Sequence, residues 1–559
     1  MNRALKINFK FGLAMGVLLF LQIGCLFYYG SRKAGFHEDE LYTYYSTNKT
    51  AGLSVEDRQW MEKDALRNDF VVLSGEEFRY DVVKQMQSWD VHPPVYYYIF
   101  HTACSLFPDL FSKWLGIGVN LTAYVISYLL LAYGAYTAAS GREQSEKFSK
   151  KAGLIAFLTC LAWGFCPAVI SGVMFIRMYQ WLTLFILLCM DLHLRAVKQQ
   201  DYRVKSFLLP LSITVFLGFL TQYYYIIFHF FLGAGFCFYL LKNKKIKPLC
   251  GYAAACAAGL GLAICYYPAS LSHIFRGYRG TEAVSEFSNA SNTWGRLKFF
   301  GGLFDDYVLN GTLSWWLLGI CLLAVTVWFL KKRKGGKWKV LNESTGLLLF
   351  AGAGYFFTVS KTALILGETS NRYQLPVYGI FLFLILYVIF RLTEEIFALE
   401  PFGAGRQKAG SNAVCAAALF GSIVILIMNG LALKGDKVFF LYEEEREVME
   451  YVKACPNEPV VVFYNDASSD HVWWLSDELM EYDKFYMASQ GNQEQITDKE
   501  ITESSRLLVY VADYENKEEC LEKLLEANIH LTAYEVVAQK GLWTLYKICL
   551  LYTSPSPRD

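Results

Sequence analysis

Three acids and a histidine stand in a row at His37, Glu38, Asp39 and Glu40, a few residues past the first long apolar run. Charged groups so close to a membrane are costly if buried and cheap if solvated, so a buried cluster would be kept for chemistry. The plainer reading is a solvated helix start, where acids meet the helix dipole favourably. The aromatic residues Tyr42, Tyr44 and Tyr45 that follow favour an interfacial helix packed against a site. Carboxylates beside imidazole are also competent ligands for a divalent metal, which the sequence neither requires nor excludes.

A second element, SWDVHPP at 88–94, puts Asp90 and His92 before two prolines. Pro93 and Pro94 fix φ at a helix start and hold both side chains at its mouth. Four arginines offer positive charge for a phosphate: Arg177 in IRMY (176–179), Arg276 and Arg279 in HIFRGYRG (273–280), and Arg372 in NRYQLP (371–376). Snorkelling to lipid headgroups is the alternative for each. Tyr179 and Tyr373 adjoin two of them, and Tyr-rich runs at 96–98 and 223–225 suit either a membrane-interface belt or stacking on sugar rings.

These residues need a scaffold, and the composition says which kind. The chain has 559 residues, 54% hydrophobic and 17% aromatic, with a formal net charge of +1 and a mean hydropathy of +0.26. That is a membrane composition, and the near-zero charge gives no nucleic-acid footprint. Windows of about nineteen residues, the length that spans a bilayer core, find apolar segments near 11–29, 113–138, 152–173, 178–194, 206–221, 223–241, 250–269, 312–330, 345–360, 373–390 and 412–433. The first follows Arg3, Lys6 and Lys10 and exceeds a signal-peptide core in length, so it reads as a retained span.

Alternate loops are basic, at 142–151, 195–205, 242–247, 331–339 and 391–408. The positive-inside rule then puts the N-terminus in the cytoplasm. The loops 31–92, 270–310 and 361–371 and everything beyond Leu433 fall outside the cell. From Lys434 the composition turns polar, with strand-like runs at 459–465 and 505–513, a helix-like run at 517–528 and a final strand-like pair ending at Ile548. The expected architecture is an all-α polytopic domain over 1–433, carrying the acidic loop at 31–92, and a small extracytoplasmic α/β domain over 434–550. Residues 551–559, LYTSPSPRD, resemble a translated sequencing adapter, and the expectation is a non-native tail.

Fourteen cysteines lie mostly in apolar runs without any CxxC pair. They read as small hydrophobes, with Cys455 and Cys520 the one pair placed for a disulfide. No internal repeat and no paired broken helices of the transporter kind are evident.

Taken in order, the Asp39-Glu40 pair after the first span, Asp90-Val91-His92-Pro93-Pro94 before the next membrane helix, and the later IRMY, TQYYY (221–225) and NRYQLP motifs resemble the GT-C glycosyltransferases. The resemblance covers roughly residues 1–433 and is nearest to the dolichyl-phosphate-mannose protein mannosyltransferases and the bacterial aminoarabinose-transferase-like proteins. Here the two prolines are followed by Val95-Tyr96-Tyr97 and not by the Leu-Gly-Lys of the protein mannosyltransferases, which leaves the acceptor class open.

The resemblance implies transfer of a sugar from a polyprenyl-phosphate donor to a hydroxyl at the outer leaflet of a bacterial plasma membrane. Asp39 would be the base, Glu40 would hold an arginine or the acceptor, Asp90 and His92 would orient acceptor or sugar, and the arginines would meet the donor phosphate. A lipid or polysaccharide transporter and a non-catalytic membrane scaffold are the competing readings. Acids clustered in loops, not at mid-membrane, disfavour transport. The sugar, the acceptor and the oligomeric state are not specified by the sequence.

Overall fold

In a computed structural model of the chain, residues 9–48, 55–140, 148–334, 340–399, 407–512, 517–528 and 530–549 are described. The expected tail at 551–559 and parts of the basic loops at 142–151, 331–339 and 391–408 lie outside these residues.

All eleven apolar segments are helical. Among the described residues, eight helices are long and apolar enough to cross a membrane, or nine when the bent pair Lys150–Gly164 and Pro167–Met174 counts as one span. Glu343–Thr362 and Gln407–Lys434 cover the other two segments, the latter with its apolar run at Leu419–Lys434. The chain is a multi-pass membrane protein. Its helices divide by environment: Tyr179–Gln199 is the most enclosed, whereas Leu313–Lys332 leaves Leu317, Leu322, Val325 and Trp328 exposed. An exposed apolar helix of this kind suits lipid as solvent.

The chain divides into two units, residues 1–30, 87–96 and 116–439, and residues 31–86, 97–115 and 440–559. The loop at 31–92, expected to belong with residues 1–433, therefore falls largely with the C-terminal residues.

In the first unit the span expected at 152–173 is broken by 59° between Gly164 and Pro167. Pro167 at the start of the second piece has no N–H to continue the ladder. Buried polar groups fix the break. Gln22 donates to the Cys160 carbonyl at 2.9 Å and accepts from the Tyr124 hydroxyl at 2.8 Å. A β-carbon on Gly164 would collide with the Gln22 amide, so only glycine allows this approach. Past the break, Asn120 donates to the carbonyls of Val173 and Phe175, at 3.2 and 2.6 Å. Those bonds anchor the non-helical turn that carries Ile176, Arg177 and Met178.

The second unit is built on a six-stranded sheet in the order β1-β3-β2-β4-β6-β5. The strands are β1 (Gln59–Glu62), β2 (Val460–Tyr464), β3 (Lys484–Ser489), β4 (Arg506–Ala512), β5 (Ala533–Lys540) and β6 (Trp543–Cys549). Parallel pairs β2–β3 and β2–β4 form the centre, where β2 is buried on both faces. Val461, Phe463, Val509, Val511 and Ile548 pack there with Leu521 and Leu524 of the helix Lys517–Ala527. The β5–β6 hairpin closes on Gly541, whose φ of +55° suits the tight turn. The four expected strands and the expected helix are present. β3 and β1 were not foreseen, and β1 comes from the loop at 31–92 to pair antiparallel with β3. Cys455 and Cys520 are free thiols, so the disulfide that the sequence left open is not formed.

Candidate active site

The acidic cluster opens the helix Glu38–Asn48. His37 Nδ1 accepts the Asp39 backbone N–H at 3.0 Å, while the Glu40 carboxylate reaches back to the His37 N–H at 2.7 Å. The two bonds cap the helix start, with the His37 side chain on the second helical N–H and Glu40 closing back on the cap residue. The lone pair of His37 Nδ1 is thus spent on the backbone, and the 3.8 Å approach of that atom to Asp39 Oδ2 is a contact, not a charged pair. The opposite face of the helix is locked by rings: Tyr44 lies edge-on to Phe100 and Phe111 and donates to the Ser112 carbonyl at 2.6 Å, and Tyr45 packs on Trp473 at 4.2 Å.

The acids now differ in kind. Glu40 is fully buried and accepts from Lys33 Nζ at 2.8 Å, so its partner is a lysine where an arginine or the acceptor was expected. Lys33 also donates to the Phe440 carbonyl at 2.6 Å. Burial pulls the Lys33 ammonium below its ordinary range, against the opposing pull of Glu40. Asp39 keeps a third of its side chain exposed, at the positive end of the helix dipole.

In the first unit, Asp90 Oδ2 lies 2.6 Å from His92 Nδ1, and His92 Nε2 lies 3.1 Å from Arg177 Nη2. A guanidinium only donates. His92 Nε2 must therefore accept, which puts the imidazole proton on Nδ1, facing Asp90. Burial pushes the Asp90 carboxyl up, but His92 and Arg177 outweigh it and hold the group below the usual carboxylate range. Tyr267 and His273, which the sequence did not single out, support this chain together with Tyr223 of the Tyr-rich run: Tyr267 donates to the His92 carbonyl at 3.3 Å, His273 approaches the Ser88 carbonyl at 3.3 Å, and the Tyr223 hydroxyl lies 2.9 Å from His273 Nδ1. A Pro-Pro turn leaves unpaired carbonyls before it, which is the signal that such donors are needed.

Arg177 itself is buried at the turn after the broken span. Arg372, also buried, sits among the rings of Phe175, Tyr179 and Tyr373 at 5.0, 5.9 and 5.2 Å. The rings fix the plane of the guanidinium, a cation–π arrangement strengthened by low water access. The structure therefore brings Arg177, Tyr179, Arg372 and Tyr373 into one neighbourhood with Asp90 and His92. Arg276 and Arg279 lie on exposed segments: Arg279 pairs with Glu282 at 3.3 Å, lies over Tyr278 and is within electrostatic reach of Tyr373. Among the described residues, no three His, Cys, Asp or Glu side chains converge as metal ligands.

A polytopic helical unit with one broken span, and a second unit built on a small six-stranded sheet, make up a membrane protein of the GT-C fold. The particular likeness is to ArnT, the aminoarabinose transferase, from Cupriavidus metallidurans bound to undecaprenyl phosphate: 10% identity, a TM-score of 0.51, and coverage of 95% of this chain and 97% of that one. The apo state of the same protein gives 12% identity and a TM-score of 0.44 over 91% and 96%. The arabinosyltransferase EmbB from Mycobacterium smegmatis gives 11% and 0.34 over 80% and 41%. The sequence matches no family model and no curated protein.

Proposed function

We propose that the chain is a membrane glycosyltransferase that moves a sugar from a polyprenyl-phosphate donor to a hydroxyl acceptor at the outer face of the plasma membrane, with Asp39 as general base. The N-terminus is cytoplasmic and the α/β unit extracytoplasmic in this reading, which rests on the alternation of basic loops.

In the reaction, the acceptor oxygen forms a bond to the anomeric carbon while the bond from that carbon to the phosphate oxygen breaks. The hydroxyl proton passes to the Asp39 carboxylate, and polyprenyl phosphate leaves with the electron pair. A phosphate ester needs no general acid, but it needs positive charge held in a dry site. The observation that carries the proposal is the buried Arg177 guanidinium aligned by the Asp90–His92 pair, with Arg372 fixed among three rings nearby. Buried cations with dedicated support are expensive to keep as scaffold alone.

The test is reconstitution of the full chain in vesicles with undecaprenyl-phosphate-linked labelled sugars and extracted envelope acceptors, reading release of undecaprenyl phosphate. Release that depends on protein and acceptor is expected. Its absence across a panel of lipid-linked sugars, with flux of the same lipids across the bilayer, would favour the transporter.

A further inference from the structure

Lys540 ends β5 at the tight turn and is half-buried among three carboxylates: Asp477 at 2.8 Å, Glu445 at 3.1 Å and Glu478 at 3.3 Å. Glu478 is held from the other side by the Tyr510 hydroxyl at 2.7 Å. Glu445 in turn abuts Gly35: a β-carbon there would strike its carboxylate. Glu445 and Asp477 both act electrostatically on Lys33, the partner of Glu40. The strap that bears Glu445 is tied to the same loop by backbone, through the Ala34 N–H to the Leu441 carbonyl at 2.7 Å, and by Arg32 to Glu443 at 2.5 Å. It runs through Phe440 and Tyr442 at φ values of +65° and +52°, conformations that side chains other than glycine seldom hold without outside support.

From this continuity we infer that Lys540 is a positioning residue for the proposed base, acting on Asp39 through Glu445, Lys33 and Glu40. The α/β unit is then part of the catalytic apparatus and not an independent acceptor-docking module. Two ammonium groups face four carboxylates in this array, so removing either cation leaves buried anions to repel one another. The nearest relief is for the strap to move away from Gly35, which frees Lys33 and the cap that orients Asp39. The inference rests on the glycosyltransferase reading for its consequence, but not for its geometry.

The experiment compares wild-type full chain in nanodiscs with Lys540→Arg, Lys540→Met, and Lys540→Met combined with Glu478→Gln, the last removing one surplus anion so that the fold is kept. Amide exchange is read at 37–41 and in β2 and β4, beside kcat and KM for transfer from an undecaprenyl-phosphate sugar. The double variant should exchange at 37–41 at least about tenfold faster with β2 and β4 unchanged, as expected for a local opening. Its kcat should fall with KM for the donor held, and Lys540→Arg should keep wild-type values of both. Unchanged exchange at 37–41, or an equal rise in β2 and β4, overturns the inference. If the wild-type chain transfers no sugar, the functional reading fails while the exchange result still decides whether Lys540 positions the loop.

Discussion

His92 Nε2 meets Arg177 Nη2 at 3.1 Å while the other ring nitrogen meets Asp90 at 2.6 Å, so one imidazole transmits a carboxylate's orientation to a buried guanidinium. Asp90→Asn would let the ring turn and offer its proton to Arg177, which is a repulsive contact. The expected outcome is a loss of about ten- to a hundredfold in kcat/KM, the usual cost of removing an outer partner of a functional group, with helix content unchanged. Steady-state transfer kinetics and circular dichroism on the same preparation check it.

Arg372 is held by ring faces as well as by charge. Arg372→Lys keeps the cation but loses the planar stacking on Phe175, Tyr179 and Tyr373. A loss of ~1–2 kcal/mol in donor binding is expected, or roughly five- to thirtyfold in KM, and Arg372→Gln should cost more. Donor titrations in vesicles give the ranking, and a lysine variant weaker than the glutamine variant would contradict it.

Gly164 lies against the Gln22 amide at the broken span. Gly164→Ala should overpack that contact and destabilise the chain by about 1–3 kcal/mol, lowering the thermal midpoint in detergent. Gly164→Ala with Gln22→Ala should recover part of that loss, because the colliding side chain is gone.

Glu445, facing Lys540, Asp477, Glu478 and Lys33, is pushed by burial from an ordinary 4.5 up to about 7, with Lys540 opposing. A raised folded-state value means that the folded chain binds this proton more tightly than the unfolded chain. Its contribution is therefore full below about 4.5 and lost as pH rises through about 7. Between those two values wild-type stability should fall relative to Glu445→Gln, and urea unfolding of both proteins at several pH values measures the difference. A parallel pH dependence in the two would refute the assignment.

Orientation is checked separately. Single cysteines at Glu76 and Lys245, both exposed, in a background with Cys250, Cys265 and Cys321 replaced, should react with an impermeant maleimide from opposite sides of intact cells. Reaction from one side would overturn the assignment made from the basic loops.

Much of the scaffold was legible because membrane helices announce themselves by length and hydropathy. Asp90, His92, Arg177 and Arg372 could be singled out because charged residues beside apolar spans are costly and rarely idle. The partners they take are another matter. Lys33 lies seven residues before Glu40, and nothing in FHEDE says that Glu40 would turn inward to meet it while Asp39 stays in reach of water. β1 is four residues, QWME, too short to show alternation, and becomes a strand only because β3 offers it an edge. β3 is almost wholly buried and so has no period of two to read. Nothing near Lys540 in the sequence announces its partners, since Glu445, Asp477 and Glu478 meet it only in the folded unit.

The central claim is that the Asp39 carboxylate removes the acceptor's proton. In vesicles holding an undecaprenyl-phosphate sugar, Asp39→Asn should abolish transfer by at least about a hundredfold, the lower range for a general base, with expression and thermal midpoint unchanged, while Glu38→Gln next to it keeps most of the activity. Normal transfer by Asp39→Asn would contradict the account.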